Sequence, residues 1–363
     1  EHITGAPFDP NWNAQKMRQC GVSSWPSEKL FKAPHWNGWG NGTHNKRYQT
    51  AARAKLTSRD VGKLELKWAF AFPGETIAES QPTVVDGRLF VGSRSGDVYA
   101  LDPKTACVHW QFQADAPVKN SVVIGEVEIE GERRTLAFFG DLTGTAYAVD
   151  AVDGSLIWRR SVDEFPASRL MGSFILVGEQ LFVPITSTES TLVAATDAVC
   201  CVFRGSVVSI NPATGVERWR RYTIAELPTK TGENALGNAT YGPSGATIWS
   251  APTYDPILDV IYVGTSENAS NPATKTSDAI LAIDAKTSEI KWSYQGLAGD
   301  AWNMSCGTPD RTNCPEAPAG LDYDMGSSPS LTTMANGKRI LIAAQKSGVV
   351  HALDPDDGGK LLW

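Results

Sequence analysis

Hydrophobic and polar residues alternate along this chain in short runs that are separated by turns. Residues 82–102 read P-T-V-V-D-G-R-L-F-V-G-S-R-S-G-D-V-Y-A-L-D. Apolar side chains at every second position predict a strand that is buried on one face, and the Asp-Gly and Ser-Gly pairs predict tight turns. Few stretches have the spacing of an amphipathic helix. The pattern therefore predicts an all-β chain in which neighbouring strands are antiparallel.

One strand–turn–strand unit recurs along the sequence. It reads Y-A-L-D-P-K-T-A-C-V-H-W up to Trp110 and Y-A-V-D-A-V-D-G-S-L-I-W up to Trp158. An Asp or Asn stands eight residues before the final Trp in five copies and nine residues before it in the sixth. The Asp-x-x-Thr-Gly segment is typical of a turn, because an Asx side chain bonds to the backbone and Gly tolerates a positive φ. The copies end at six tryptophans: Trp68, Trp110, Trp158, Trp219, Trp292 and Trp363.

The spacing of these copies predicts how they assemble. Successive terminal tryptophans are 42 to 73 residues apart, which leaves room for about four short strands per copy. A four-stranded antiparallel sheet cannot bury both of its faces alone, whereas radial stacking buries them, and a Trp at a fixed position would pack against the next sheet. The prediction is a β-propeller of four-stranded antiparallel blades. A β-sandwich with coincidental tryptophans is the alternative.

Composition narrows the class of protein. The formal net charge is −7, which argues against nucleic acid as a partner because phosphate binding requires a basic face. No apolar run is long enough for a transmembrane helix. Six cysteines without a C-x-x-C motif favour disulfides, and hence a secreted or periplasmic protein. Cys306 and Cys314 are eight residues apart, a suitable separation for a small disulfide loop, and a first residue other than Met fits a processed form.

The repeat A-x-D-x-x-T-G-x-x-x-W resembles the tryptophan-docking motif of the pyrroloquinoline quinone (PQQ)-dependent alcohol dehydrogenases, which are eight-bladed propellers. Three longer strings are similar to the polyvinyl alcohol dehydrogenase branch: Cys200–Gly215, Gly242–Pro256 and Ala343–Asp356. The resemblance covers nearly all of residues 60–363. It implies an irregular N-terminal segment over residues 1–56 that joins a PQQ-type propeller over residues 57–363.

Two features depart from the resembled branch. Its enzymes carry a cytochrome c module, whereas this sequence has no C-x-x-C-H motif for covalent haem. The family also needs about eight blades, and six copies are visible here. We therefore expect that the sequence lacks the last blades, with a smaller ring as the alternative, and that electrons pass to a separate acceptor such as a cytochrome c.

The resemblance implies a binding site for PQQ, a flat quinone with three carboxylates. Trp249 matches the family's stacking tryptophan, Thr247 would reach the cofactor's edge, and Lys346 matches a basic residue that bonds the quinone oxygens. Glu79 stands where some relatives place an acidic cofactor contact. Arg204 offers forked donors for a PQQ carboxylate. The alternatives are a core role for Trp249 and an ordinary strand-end position for Lys346.

Cys200 and Cys201 are adjacent. A disulfide between neighbouring cysteines closes a strained eight-membered ring, so it is seldom a stability device. The resemblance implies such a ring packed over the quinone, opposite Trp249. Bonds from this pair to Cys20 or Cys107 are the alternative.

Calcium prefers oxygen ligands, and the resemblance implies three of them. Glu189 occupies the family's glutamate position. Glu267 occupies the position of an Asn or Asp and follows Ser266 where the family has Gly, so the neighbouring Asn268 is an alternative ligand. Asp300, in G-D-A-W-N, matches the catalytic Asp of the family, which would contact the metal and act as general base. A turn role for Asp300 is its alternative.

Two functions follow from these residues. The first is PQQ- and calcium-dependent oxidation of an alcohol of small or polymeric size. The second is a cofactor-free β-propeller that acts as a binding or scaffold protein, which the longer Glu267 and the loss of the Gly favour. Fold alone does not separate the two.

Overall fold

The computed structural model describes residues 17–21, 25, 30–195, 198–315 and 320–363. Within these ranges the chain forms five successive antiparallel sheets, each built from four strands in sequence order, as predicted. We call these sheets blades 1 to 5. The strands of blade 1 are β1 (Thr83–Val85), β2 (Arg88–Gly92), β3 (Asp97–Leu101) and β4 (Val108–Gln113). Those of blade 2 are β5 (Val123–Ile129), β6 (Glu132–Gly140), β7 (Thr145–Asp150) and β8 (Leu156–Ser161).

The remaining blades contain longer connections. Blade 3 adds the short β9 (Ser168–Arg169) to β10 (Ile175–Val177), β11 (Gln180–Ser187), β12 (Ser206–Ile210) and β13 (Glu217–Tyr222). A separate hairpin follows, with β14 (Thr229–Glu233) and β15 (Ala239–Gly242). Two short strands pair outside the blades, β16 (Ser244–Gly245) and β19 (Asn268–Ser270). Blade 4 is β17 (Thr253–Asp255), β18 (Val260–Gly264), β20 (Ala279–Asp284) and β21 (Ile290–Gln295). Blade 5 is β22 (Ser330–Thr333), β23 (Arg339–Ala344), β24 (Val350–Asp354) and β25 (Lys360–Leu361).

Helices are short and lie in the connections. The α-helices are α1 (Ala51–Ala54) and α2 (Glu189–Leu192), and the 3-10 turns span Val61–Lys63 and Met304–Gly307. No helix in the described ranges is long and apolar enough to cross a membrane.

The hydrophobic core lies between successive blades. Side chains of blades 1 and 2 form one cluster, those of blades 2 and 3 a second, and the pattern continues to blade 5. Phe138 of β6 and Val183 of β11, for example, are fully buried in the second cluster. Blades 2, 3 and 4 therefore bury both faces through their neighbours, which is the physical reason for the stacked arrangement.

The repeat tryptophans join one blade to the next. The indole N–H of Trp110 donates to the Ala151 carbonyl, 3.0 Å away, in the last turn of blade 2. Trp158 and Trp219 make the equivalent bond to Pro212 and Ala285 in the blade that follows. The Asp of the motif accepts backbone N–H groups of its own turn, as Asp150 does from Val152 at 2.8 Å. The motif thus combines a turn with the receptor for the preceding tryptophan.

The first copy of the repeat does not form a blade. The segment before Trp68 contains no strand among the described residues. Phe70 and Phe72 still pack against Tyr99 of blade 1, and the Trp68 indole donates to the Pro103 carbonyl at 3.0 Å. Side-chain docking is present here, but no described strand supplies the backbone partners of a sheet.

Residues 30–47 contact several blades. Trp36 bonds through its backbone to Val84 in blade 1, and the Asn37 amide donates to Ile124 in blade 2. Asn45 donates to the Pro252 carbonyl beside blade 4, at 2.8 Å. His44 accepts the backbone N–H of Leu331 in blade 5. This segment therefore links blades that are distant in the sequence.

Candidate active site

Three carboxylate side chains converge where connections of blades 4 and 5 meet. Glu267 follows β18, while Asp322 and Asp324 precede β22. One oxygen of each lies within 4.8 Å of the others. Glu267 is 6% exposed and Asp324 is 3% exposed. Glu267 Oε2 and Asp324 Oδ1 have no hydrogen-bond partner among the described residues. Buried oxygens without partners are costly, so this all-oxygen group fits a hard divalent cation.

Lys346 and Trp249 border the carboxylate group. Lys346 Nζ lies 2.6 Å from Asp322 Oδ1 and 3.1 Å from Asp324 Oδ2. Trp249 Nε1 donates to Asp324 Oδ2 at 2.8 Å. A Cβ at Gly326 would lie 2.2 Å from the Trp249 ring, so only Gly lets that backbone pack against the indole. These contacts fix the orientation of Trp249 relative to the carboxylates.

The carboxylates of this group do not titrate alike. Burial is the main reason why the pKa of Glu267 is raised well above its ordinary value, and Asp324 adds to that shift. Burial also raises the pKa of Asp322, against the opposing effect of Lys346. Burial alone would raise the pKa of Asp324, but the groups around it, including Lys346, lower it. The arrangement therefore favours a protonated Glu267 beside an ionised Asp324.

A further buried acid, Asp278, lies near this group. Its backbone N–H donates to the Ser266 carbonyl at 3.0 Å. Burial, followed by the charges of Asp300 and Asp324, raises the pKa of Asp278 to about 8. Asp278 is consequently mostly neutral at pH 7 and adds little charge to the site.

Glu189 faces the same region from blade 3. It begins α2 directly after β11, and its two oxygens accept the backbone N–H groups of Val202 and Phe203 at 2.8 and 2.9 Å. Burial raises the pKa of Glu189, and these two bonds oppose the shift. Glu189, Thr247 and Glu267 line one narrow cavity. The structure therefore brings both predicted glutamate ligands to one place.

Ser266, which stands where the family has Gly, is held by hydrogen bonds to Thr247. Ser266 Oγ accepts the backbone N–H of Thr247 at 2.8 Å and lies 3.1 Å from its hydroxyl. The Asn268 amide is used elsewhere, because it donates to the Ser244 carbonyl and accepts the N–H of Thr274. Glu267, rather than the alternative Asn268, therefore presents its side chain to the carboxylate group.

All three disulfides lie in the described part of the chain. Cys200 and Cys201 are bonded to each other, and Cys306 is bonded to Cys314, so both predicted pairings are confirmed. Cys20 pairs with Cys107. The vicinal disulfide packs against Ala269, which also lines the narrow cavity of the two glutamates.

A second cavity of about 380 Å³ lies beside Trp249. Glu79 and Lys119 line it together with Trp249. Glu79 forms ion pairs with Arg94 at 2.7 Å and with Lys119 at 2.9 Å. Burial would raise the pKa of Glu79, but these two cations lower it. With Arg47 also in the lining, the cavity has two cations for one carboxylate.

Arg204 lies apart from both cavities. Its guanidinium donates to the carbonyls of Ile224 and Ala225 at 3.1 Å and stacks 4.0 Å from the Tyr222 ring centre. These bonds hold the connection after β13. The predicted contact between Arg204 and a cofactor carboxylate stays a prediction. The cations near Trp249 are Arg47 and Lys119 in the second cavity and Lys346 beside the carboxylate group.

Asp300 is buried next to the carboxylate group but is not part of it. Its oxygens accept the backbone N–H groups of Leu321 and Tyr323 at 2.9 and 3.2 Å. These bonds hold the segment that presents Asp322 and Asp324. In this geometry Asp300 positions the site, and its predicted roles as base and metal ligand stay predictions.

Asp322 and Asp324 were not among the site residues predicted from the sequence. They occur as L-D-Y-D-M-G in the connection before β22. Two acids so close together in a predicted connection between blades were the signal that could have identified them. Asp322 has a φ of 59°, so strand alternation does not explain why the two side chains meet.

Comparisons with known proteins agree with this architecture. A family model described as outer membrane protein assembly factor BamB matches residues 48–244, more than half of the chain. A model described as the β-propeller domain of glucose/ethanol/alcohol dehydrogenases matches residues 202–310. The chain is 38% identical to a polyvinylalcohol dehydrogenase of Pseudomonas sp. over 338 residues, which are 93% of this chain and 52% of the relative. It is 38% identical to that of Sphingopyxis sp. (strain 113P3) over 363 residues, which are 99% of this chain and 54% of the relative.

The chain belongs to the PQQ-dependent alcohol dehydrogenase family. It spans about half the length of the curated relatives it matches. Among solved structures, the quinohemoprotein alcohol dehydrogenase ADHIIG of Pseudomonas putida HK5 aligns with a TM-score of 0.68 at 22% identity, over 92% of this chain and 48% of that one. The Comamonas testosteroni enzyme aligns with a TM-score of 0.65 at 20% identity, over 91% of this chain and 48% of that one. These structures support the propeller fold of the PQQ-dependent alcohol dehydrogenase family in this chain.

Proposed function

We propose that this chain carries the active site of a PQQ- and calcium-dependent alcohol dehydrogenase. The observation that carries the proposal is the carboxylate group beside Trp249, in which Glu267 and Asp324 are buried and Asp322 is half-buried. Such a group is costly in a protein that uses its propeller only as a scaffold, because nothing in the fold requires buried carboxylates without partners.

The oxygen-rich side of the site is where calcium would bind. Glu189 and Glu267 face one cavity, and Glu267 also faces Asp322 and Asp324. A bound divalent cation would polarise a carbonyl oxygen of the quinone. Lys346 limits the net negative charge of this group of carboxylates.

The aromatic and cationic side is where PQQ would bind. Trp249 offers a flat face, and the vicinal Cys200–Cys201 disulfide is the proposed opposite surface. Lys346, together with Lys119 held by Glu79, would pair with oxygens and carboxylates of the cofactor. When bound, the quinone supplies the two-electron acceptor that alcohol oxidation requires.

The proton of the alcohol hydroxyl needs a base beside the cation. We assign this role to Asp322, because its side chain remains 30% exposed while that of Asp324 is 4% exposed and already accepts from Trp249 and Lys346. Asp300, the residue that the sequence suggested, would act by holding the backbone of this segment.

The electrons would pass to a separate acceptor such as a cytochrome c. One relative is named lupanine 17-hydroxylase [cytochrome c], which supports an acceptor of this kind. We further infer a secreted or periplasmic location, which three disulfides support.

Reconstitution tests the proposal directly. The purified chain is incubated with PQQ and CaCl₂, freed of unbound cofactor, and examined by absorbance and by alcohol-dependent reduction of an artificial dye. We expect bound PQQ, dye reduction with primary or secondary alcohols, and loss of the activity with a calcium chelator. A protein that retains no PQQ would instead be a cofactor-free binding or scaffold propeller.

A pair of variants tests the calcium ligands. Glu267→Gln keeps the size of the side chain but removes its charge, so the calcium concentration that gives half-maximal activity should rise about tenfold or more. Glu128→Gln, on the exposed side of β5, is the matched control and should leave it unchanged. Equal calcium dependence of the two variants would remove Glu267 from the ligand set.

A further inference from the structure

A cleft of about 420 Å³ lies beside the vicinal disulfide. Cys200 forms part of its floor, and the hairpin β14–β15 and residues 312–315 form its walls. Ala269 packs against the same disulfide and lines the cavity of Glu189 and Glu267. One layer of side chains therefore separates the cleft from the proposed reaction site.

The walls of this cleft are held rigidly. Tyr241 N–H donates to the Cys200 carbonyl at 2.7 Å, which attaches the hairpin to the disulfide. Asn234 donates to Asn313 Oδ1 at 2.8 Å and so connects the two walls. The Cys306–Cys314 disulfide closes the second wall. The blades themselves do not need these two insertions, so their cross-linking preforms the cleft rather than the propeller.

The chemistry of the lining is neutral and hydrogen-bonding. Hydroxyl and amide side chains dominate it: Thr231, Asn234, Thr240, Tyr241, Ser270 and Asn271. Glu233 is the charged residue of the described lining, and Lys230 neutralises it at 2.8 Å. A charged ligand would find no counter-charge here, and an apolar ligand would leave polar groups unpaired. A hydroxyl-rich ligand can both donate and accept, and its CH groups can pack on the Tyr241 ring.

We infer that this cleft binds a neutral polyhydroxylated chain, and that it holds further units of a polymeric alcohol next to the site where one unit is oxidised. The inference rests on the proposed function for the oxidation but not for the binding. Because the cleft lies at the disulfide, units bound in it would be close to the reaction site. Glu267 and Asp322 do not line the cleft, so these units would not cover them.

Binding to the cofactor-free protein tests this inference. Fully hydrolysed poly(vinyl alcohol) is titrated into the full chain by calorimetry, with poly(ethylene glycol) of equal length as the comparison polymer and a neutral dextrin in a third arm. Poly(ethylene glycol) accepts hydrogen bonds along its chain but does not donate them. We expect poly(vinyl alcohol) or dextrin to bind about tenfold or more tightly than poly(ethylene glycol). Whichever of these two polymers binds more tightly shows which kind of polyhydroxylated chain the cleft recognises. Equally weak binding of all three polymers would overturn the inference.

Matched double variants locate the binding. Thr231→Val with Thr240→Val removes two hydroxyls that lie 3.1 Å apart across the hairpin, and Val keeps the branched shape that suits strands. We expect the Kd for the bound polymer to rise about tenfold. Thr332→Val with Thr333→Val on β22 is the control and should not change it. An unchanged Kd in the cleft variant would refute the site.

A second substitution guards against misfolding of the hairpin. Tyr241→Phe keeps the ring, whereas Tyr241→Ala removes it. We therefore expect the Kd of the Tyr241→Ala variant to be well above that of the Tyr241→Phe variant. Equal affinities of the two would contradict the packing of the ligand on Tyr241. Since these titrations need neither PQQ nor turnover, failure of the cleft and failure of the proposed dehydrogenase are separate results.

Discussion

At the scale of single residues, the site depends on which of several acids does which task. Asp300 and Asp322 are 22 positions apart in the sequence; Asp322 belongs to the carboxylate group, and Asp300 bonds to the backbone on either side of it. Asp300 is buried and accepts two backbone N–H groups, whereas Asp322 reaches solvent and contacts Lys346. Burial with two backbone donors is the environment of a structural acid, whereas a proton acceptor must have an oxygen within reach of the hydroxyl that it deprotonates.

This difference predicts opposite results for Asp300→Asn and Asp322→Asn. Asp300→Asn should lower the free energy of unfolding by about 1–3 kcal/mol, because one backbone N–H then faces an amide donor. Asp322→Asn should change stability by less than about 1 kcal/mol while it lowers kcat by about 10²-fold or more with PQQ still bound. Chemical denaturation and single-turnover dye reduction measure the two effects. Full turnover in Asp322→Asn together with its loss in a stable Asp300→Asn would return the base role to Asp300.

At the scale of elements, the turn before the last strand of blades 2 to 5 receives the tryptophan of the blade before it. Gly154 in the last turn of blade 2 has a φ of 78° and lies against the Trp110 ring, 2.9 Å from where a Cβ would be. Gly131, in another turn of the same blade, has a φ of 82° and open space around it. The two glycines therefore share a backbone conformation and differ in what they touch.

Replacing these two glycines separates strain from packing. Gly131→Ala should cost about 1–2 kcal/mol, which is the price of a positive φ for a residue with a Cβ. Gly154→Ala should cost about 1–3 kcal/mol more, because the new methyl group overlaps Trp110. Urea unfolding of both variants gives the comparison. Equal losses of stability would mean that docking of the tryptophan tolerates the extra atom.

At the scale of the whole molecule, ion pairs reinforce the contacts between blades. Asp255 of blade 4 is fully buried and accepts from Arg339 of blade 5, whose Nη1 lies 2.7 Å from both carboxylate oxygens. Tyr262 also donates to Asp255 at 2.9 Å. Burial alone would raise the pKa of Asp255, but these donors lower it below its ordinary value.

The lowered pKa sets the pH range in which this pair acts. Its contribution to stability is present above the unfolded-state pKa of about 4 and is lost as the pH falls through the lower folded-state value. Asp255→Asn should therefore cost about 1–3 kcal/mol near pH 7, since Arg339 then keeps only Asp356 as a charged partner. The gap between the two proteins should narrow below about pH 4. Unfolding free energies measured from pH 7 to pH 3 check this, and a gap independent of pH would exclude the pair as its cause.

The local pattern of residues is sufficient to predict the blade and the family. The Asp turn and the terminal Trp are local features, and each copy carries both within ten residues, so the repeat is visible without any knowledge of distant contacts. The Cys306–Cys314 loop and the vicinal Cys200–Cys201 pair are local in the same sense. The degenerate copy at Trp68 was the exception, because a sheet also needs partner strands that the repeat does not encode.

Which side chains share a site depends on the tertiary structure. The residues of the site lie in connections of three different blades: Glu189, Glu267, Asp322 and Lys346. Their separation in the sequence does not show where their side chains point. The sequence also did not show that Arg204 donates to backbone carbonyls, or that Asp300 accepts from backbone N–H groups. The physical reason is that a strand's pattern is set by its own alternation, whereas a connection between blades takes the conformation that satisfies its buried polar groups within the assembled fold.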